Sequence, residues 1–90
     1  MLEASVEVQN QLGVHARAAA QLVRLANDFK SRILISRKDT NSFADAKSIL
    51  SILTLAASRG TILFISVDGE DAEVALAAVQ ELFMTGFGEN

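Results

Sequence analysis

The chain has 90 residues, of which 50% are hydrophobic and 21% charged, with a formal net charge of -3. This length and balance predict one small folded domain over residues 1–90 and argue against disorder. Because cysteine is absent and histidine occurs once, disulfides, thiolate metal sites and paired-histidine metal sites are excluded, and we expect no bound metal. The net negative charge argues against a nucleic-acid partner, because such partners bind basic surfaces. Without a leader or a long apolar segment, we expect a cytoplasmic protein that does not insert into membranes.

The first half of the chain predicts a strand, a helix and a hairpin. Apolar and polar residues alternate over residues 4–8, the period-two pattern of a strand with one buried face. After a loop at 10–13, apolar residues recur at three- and four-residue spacing over 16–29, which predicts a helix. The β-branched run 33–35 and the returning segment 42–44 flank polar turn residues and predict a hairpin.

The second half predicts a helix, a strand and a last helix. Ser48 precedes apolar residues at helical spacing, and its hydroxyl suits the N-cap position. The nearly continuous apolar run 61–67 has the length of a central strand. Acidic residues cluster within 70–73, at the start of a final helix, where the helix dipole favours negative charge. The spacing of the helix places Ala75 and Val79 on one face. This order predicts an α+β open-faced sandwich, with three helices on one face of a four-stranded antiparallel sheet.

The only histidine, His15, falls where the first loop becomes the first helix. The first N–H groups of a helix lack intrahelical partners and, with the dipole, favour anions and a neutral imidazole. A free ring nitrogen can then attack phosphorus, and Gly13 would allow the bend that exposes the ring. The resulting phosphoryl oxygens would be held by the backbone of Ala16, Arg17 and Ala18 and by the Arg17 guanidinium. On chemistry alone, ordinary surface or capping roles for His15 and Arg17 stay open.

The segment Gly13-Val14-His15-Ala16-Arg17 resembles the active-site loop of HPr, the histidine-containing phosphocarrier family of the bacterial phosphotransferase system. Residues 46–50 resemble the regulatory-serine segment of that family, and 58–61 resemble the turn before its last strand. Residues 69–72 are similar to the start of its final helix, and 87–89 to its tail. The family has the βαββαβα sandwich that the element order predicts.

The resemblance implies a phosphoryl carrier, not an enzyme, that needs no cofactor. His15 would accept a phosphoryl group on Nδ1 from phosphorylated enzyme I, whose donor is phosphoenolpyruvate, and pass it to IIA domains. Arg17 matches the arginine that helps to hold the phosphoryl group. Ser48 matches the serine that HPr kinase/phosphorylase modifies in many bacteria, so its phosphorylation is expected where that kinase is present. An N-cap role for Ser48 is compatible with that modification.

The family contacts its partners through a surface beside the histidine, and a small carrier with one such surface is expected to be a monomer. Within the matching segment we expect Leu50 to be exposed and Ile52 to be buried. For each matching position, ordinary core packing or a solvated helix face is the competing interpretation. The matching residues are Ala19, Ala20, Arg24, Lys47, Ile49, Leu50 and Leu53.

Two positions depart from the family pattern. Ala18 stands where proline is usual, which adds a backbone donor to the first turn and loosens the loop. Asn27 stands where many relatives have lysine and so removes a positive contact. Two other functions stay open: a nitrogen-type regulatory paralogue that uses the same His15, and a docking regulator of the same fold without phosphotransfer. The presence of both His15 and Arg17 argues against the latter.

Overall fold

The computed structural model describes residues 1–89, and it confirms the predicted order of elements and the α+β class. The described residues form one antiparallel sheet with strand order β1-β4-β2-β3. In chain order the elements are β1 (Leu2–Glu7), α1 (Ala16–Ala26), β2 (Arg32–Arg37), β3 (Ser42–Asp45), α2 (Ile49–Thr54), β4 (Ile62–Asp68), α3 (Ala72–Met84) and a short 3-10 helix (Gly86–Gly88).

Strand β4 lies between β1 and β2, which confirms the central position predicted from its apolar run. Its alternate residues Leu63, Ile65 and Val67 are fully buried in the core under the helices. Ile62 points to the other face and is 45% exposed. The sheet therefore has one covered face and one open face, as expected for an antiparallel sheet packed on one side.

Helix α1 ends at Ala26, three residues before the predicted end. The side-chain amide of Asn27 donates to the Val23 carbonyl at 2.8 Å, and the chain turns over residues 27–29. Phe29 therefore packs against the core from a turn rather than from the helix. Because Phe29 continues the helical spacing of apolar residues, the sequence predicts a helix that is three residues too long.

Helix α3 is joined to the start of β2 by Asp71, which precedes the helix without capping it. The Asp71 carboxylate accepts hydrogen bonds from the Ser31 hydroxyl at 2.5 Å and from the backbone N–H groups of Lys30 and Ser31 at 2.8 and 2.9 Å. Led by the Ser31 hydroxyl, these donors lower the pKa of Asp71 from 3.8 to about 2.

The C-terminal end of α3 turns back over the core. Phe87 is buried, and its ring packs edge-to-face on Phe83 with 5.0 Å between centroids. This anchor fixes the path of the chain through Gly86–Gly88 towards the start of α1. Among residues 1–89, no helix has the length and hydrophobicity needed to cross a bilayer. The same residues contain no cluster of three acidic, histidine or cysteine side chains suited to a metal ion.

Candidate functional site

His15 occupies the N-cap position of α1, with an extended backbone and a side chain that is 24% exposed. Its Nδ1 accepts a hydrogen bond from the backbone N–H of Arg17 at 3.2 Å. The imidazole thus takes the capping role that serine or aspartate more often fills. Because an N–H group points at Nδ1, that nitrogen carries a lone pair and not a proton.

The loop before His15 is held in place by close packing at Gly13. Gly13 has a φ of 69°, and a Cβ there would lie 2.5 Å from the carbonyl oxygen of Ala57. The next N–H group, that of Val14, donates to the same carbonyl at 2.9 Å. Only glycine fits this approach, so Gly13 makes the bend predicted for it and sets the position of the histidine.

The other ring nitrogen of His15 meets the carboxylate of Glu89. His15 Nε2 lies 2.6 Å from Glu89 Oε2, and Arg17 Nη2 donates to the same oxygen at 3.1 Å. The buried amide of Asn10 donates to Glu89 Oε1 at 3.0 Å and to the Gly13 carbonyl at 2.6 Å. The Asn10 amide, followed by Arg17 and His15, lowers the pKa of Glu89 against the opposing effect of burial.

Asn10 and Glu89 were not identified from the sequence. In the sequence, Asn10 belongs to a loop, and Glu89 belongs to a tail segment without an assigned role. They are separated by 79 positions, and no periodicity or motif spacing places them together. The one available signal was that residues 87–89 resembled the tail of a family whose site is otherwise formed at residues 13–17.

The three residues expected to hold phosphoryl oxygens differ in exposure. Ala16 is exposed at the start of α1, and the Arg17 side chain is 71% exposed, so both are accessible. Ala18 is fully buried, because its side chain packs into the core. This burial concerns the side chain of Ala18, and the backbone contacts of Ala16, Arg17 and Ala18 to phosphate stay predictions.

An exposed apolar surface lies on α2. Leu50 is 74% exposed, Ile49 and Leu53 are 39% and 36% exposed, and Ile52 is buried as predicted. Ser48 caps α2 as predicted, since its hydroxyl accepts from the Ser51 N–H at 3.4 Å.

The other residues expected to contact partners fall into different environments. Arg24 is exposed and Ala20 half-buried on α1. Ala19 is fully buried, so the expectation of a partner contact there is wrong; its place in the apolar repeat of α1 makes it core. The ammonium of half-buried Lys47 donates to the Phe29 carbonyl at 2.7 Å, which holds it against the turn that follows α1. Leu12, 69% exposed in the loop before His15, was not singled out.

Comparison with known proteins identifies the group to which this chain is related. The family model described as "PTS HPr component phosphorylation site" matches residues 2–85. Phosphocarrier protein HPr of Xylella fastidiosa is 43% identical over 90 residues, which cover all of this chain and 99% of that protein. Phosphocarrier protein NPr of Escherichia coli is 38% identical over 86 residues, covering 96% of this chain and 94% of that protein.

The solved structures agree with the sequence comparison. The crystal structure of HPr-C-His from Thermoanaerobacter tengcongensis matches with a TM-score of 0.94 and 38% identity, covering 100% of this chain and 99% of that chain. The chain therefore belongs to the HPr family of phosphocarrier proteins of the phosphotransferase system. It is a carrier and not a catalyst, and the resemblance found in its sequence is confirmed.

Proposed function

We propose that His15 receives a phosphoryl group on Nδ1 from phosphorylated enzyme I, which is charged by phosphoenolpyruvate, and passes it to a IIA domain. The observation that carries this proposal is the hydrogen bond from the Arg17 backbone N–H to Nδ1 at the N-terminus of α1, which makes Nδ1 an acceptor. In the transfer, a bond forms between Nδ1 and phosphorus while the bond between phosphorus and the donor atom breaks. The electron pair of the broken bond stays with the donor, and Nδ1 has no proton to lose.

Arg17 then helps to hold the transferred group. Its guanidinium is mostly exposed and contacts only one oxygen of Glu89, so a short rotation can bring it to phosphoryl oxygens at Nδ1. A planar guanidinium binds such oxygens in pairs, and the backbone at Ala16 adds the partial positive charge of the helix N-terminus. No cofactor takes part in this step.

Docking uses the apolar surface of Ile49, Leu50 and Leu53 together with the cations Arg17 and Arg24. Leucine and isoleucine side chains exposed on α2 and arginines exposed on α1, which contacts α2, fit a partner surface that is apolar at its centre and acidic at its rim. A carrier must leave one partner before meeting the next, so we expect a small, transient interface and a monomer acting in the cytoplasm.

Ser48 gives this docking surface a means of regulation by HPr kinase/phosphorylase. Its hydroxyl is at the start of α2, one residue before Ile49. A phosphate on Ser48 suits the helix dipole but places about two negative charges beside Leu50, and this disfavours docking to an acidic partner.

The test is incubation with phosphoenolpyruvate, magnesium and enzyme I from the same organism. We expect an acid-labile, base-stable phosphate on the wild type and none on His15→Ala, whose folding is checked by circular dichroism. Parallel reactions with enzyme I of the sugar branch and of the nitrogen branch separate the two carriers, since relatives of both kinds resemble this chain. A folded wild type that neither enzyme I phosphorylates would contradict the proposal and favour a docking regulator.

A further inference from the structure

The guanidinium of Arg37 lies at the C-terminal end of α2, although the residue itself belongs to the end of β2. Its Nη1 donates to the carbonyl oxygens of Leu55 and Ala56 at 3.1 and 3.0 Å. Carbonyl groups at the C-terminal end of a helix lack intrahelical donors, and the helix dipole favours a cation there. The Arg37 side chain is only 17% exposed, which distinguishes it from the exposed Arg32 at the other end of β2.

Asp39 fixes the orientation of the Arg37 guanidinium. Its Oδ1 accepts from Arg37 Nε at 2.7 Å, and its Oδ2 accepts from Arg37 Nη2 at 3.1 Å. This paired contact occupies one edge of the planar group and leaves Nη1 to donate to the end of α2. All three guanidinium nitrogens therefore have acceptors, which holds the side chain in one arrangement.

The turn that Arg37 holds has a backbone conformation that favours glycine. Ala56 has a φ of 49°, in the left-handed region that L-residues other than Asn and Asp seldom adopt. Helices commonly end with a glycine in this conformation, because glycine has no Cβ to clash. The hydrogen bond from Arg37 to the Ala56 carbonyl therefore stabilises a turn that alanine does not favour by itself.

The same turn connects α2 to the loop before His15. The next carbonyl, that of Ala57, accepts from the Val14 N–H at 2.9 Å, and Gly13 packs closely against the same oxygen. Ala57 and Val14 are both buried, and Val14 directly precedes His15. A displacement of Ala57 would therefore move the histidine relative to the apolar surface of α2.

We propose that Arg37, oriented by Asp39, is a positioning residue that holds the turn at Ala56 and so fixes the apolar surface of α2 relative to His15. This inference rests on the proposed function, in which a partner contacts that surface while His15 exchanges the phosphoryl group. Docking on α2 supports transfer only if the histidine then lies at the reacting phosphorus, because a displacement of about 1 Å can slow a reaction about a hundredfold.

The test compares Arg37→Gln with the wild type in two measurements. The first is amide hydrogen exchange without enzyme I, at Val14 and at Ile65 in the central strand β4. Val14 should exchange about tenfold faster in Arg37→Gln, which corresponds to losing one charge-assisted hydrogen bond, and Ile65 should change less. An arginine that only stabilised the whole fold would accelerate both by the same factor. The second measurement is phosphorylation by enzyme I while both proteins are folded, where kcat/KM should fall about tenfold.

Two further variants make the result specific. Ala56→Gly lets the turn form without help, so adding it to Arg37→Gln should recover part of kcat/KM and slow the exchange of Val14. Arg32→Gln removes an exposed arginine of the same strand and should change neither measurement.

Three results would overturn the positioning role of Arg37. They are equal acceleration of exchange at Val14 and Ile65, an unchanged kcat/KM in Arg37→Gln, and no recovery when Ala56→Gly is added. Since exchange is measured without enzyme I, failure of phosphotransfer by the wild type is distinguishable from failure of the positioning role.

Discussion

His15 Nε2 and Glu89 Oε2 lie 2.6 Å apart although 74 positions separate the two residues in the chain. The contact joins the N-cap residue of α1 to the segment after α3, and the buried Phe87 holds that segment in place. One ring nitrogen is therefore occupied by a carboxylate while the other faces the N-terminus of a helix. This asymmetry gives the single histidine a defined reactive atom.

Replacing Arg17 by glutamine should slow phosphorylation without affecting folding. The side chain is 71% exposed, so its loss leaves the free energy of unfolding nearly unchanged. Loss of a charge-assisted contact to the phosphoryl group should lower the transfer rate by about tenfold. Arg17→Lys should recover part of the rate because it keeps the charge without the planar fork. Transfer kinetics at equal protein concentrations check this, with exposed Arg59→Gln as the control; equal rates for both glutamine variants would refute the role.

Replacing Leu50 by serine should weaken docking. Leu50 is 74% exposed, so the substitution costs little stability, but an apolar side chain buried by a partner contributes to binding. We expect the KM for enzyme I to rise roughly tenfold at an unchanged maximal rate. Val74 on α3 is 60% exposed, and Val74→Ser is the matched control. If both variants raise the KM equally, the α2 surface has no special part in docking.

Two substitutions at Ser48 should separate its role as the N-cap of α2 from the effect of a negative charge on docking. Ser48→Ala removes the N-cap of α2 and should lower the free energy of unfolding by about 1 kcal/mol, measured by urea denaturation. Ser48→Asp can still cap the helix but adds a negative charge, so it should retain stability and raise the KM for partners. Ser58→Ala, at an exposed turn, is the stability control. A normal KM for Ser48→Asp would argue against regulation through charge at this site.

Asp71 should control stability in acid. Its pKa is about 2 in the folded protein and 3.8 ordinarily, so its contribution is complete above about pH 4 and is lost as the pH falls towards 2. Asp71→Asn should therefore be less stable than the wild type at pH 7, and its stability should fall less between pH 4 and 2. Urea denaturation across this range measures both, with exposed Glu70→Gln as the control. Parallel pH curves for the wild type and Asp71→Asn would contradict the assignment.

The fold and half of the site were predictable from local patterns. Alternation at residues 4–8, helical spacing after Ala16 and the apolar run 61–67 each reflect which face of an element is buried, and burial governs the structure. The loop-to-helix junction marks His15 and Arg17 as candidates, and the resemblance of residues 13–17 to the active-site loop of the family decides in favour of a functional role. Their partner Glu89 was not predicted, because contacts made by the tail depend on how α3 packs, which local spacing does not encode.

Other expectations failed for reasons that are also local. Ala19 fits both the apolar repeat of α1 and the family's contact surface, and packing decided in favour of the core. The end of α1 was placed too late because Phe29 continues the apolar spacing from within a turn.

The most direct test of the account is the position of the phosphoryl group on the ring. The protein, labelled with ¹⁵N at histidine, is phosphorylated by enzyme I and phosphoenolpyruvate, and its ³¹P and ¹⁵N spectra are recorded. The account predicts a bond between phosphorus and Nδ1 of His15, with the proton on Nε2 facing Glu89. Phosphorus bound to Nε2, or no phosphohistidine in a folded protein, would contradict it.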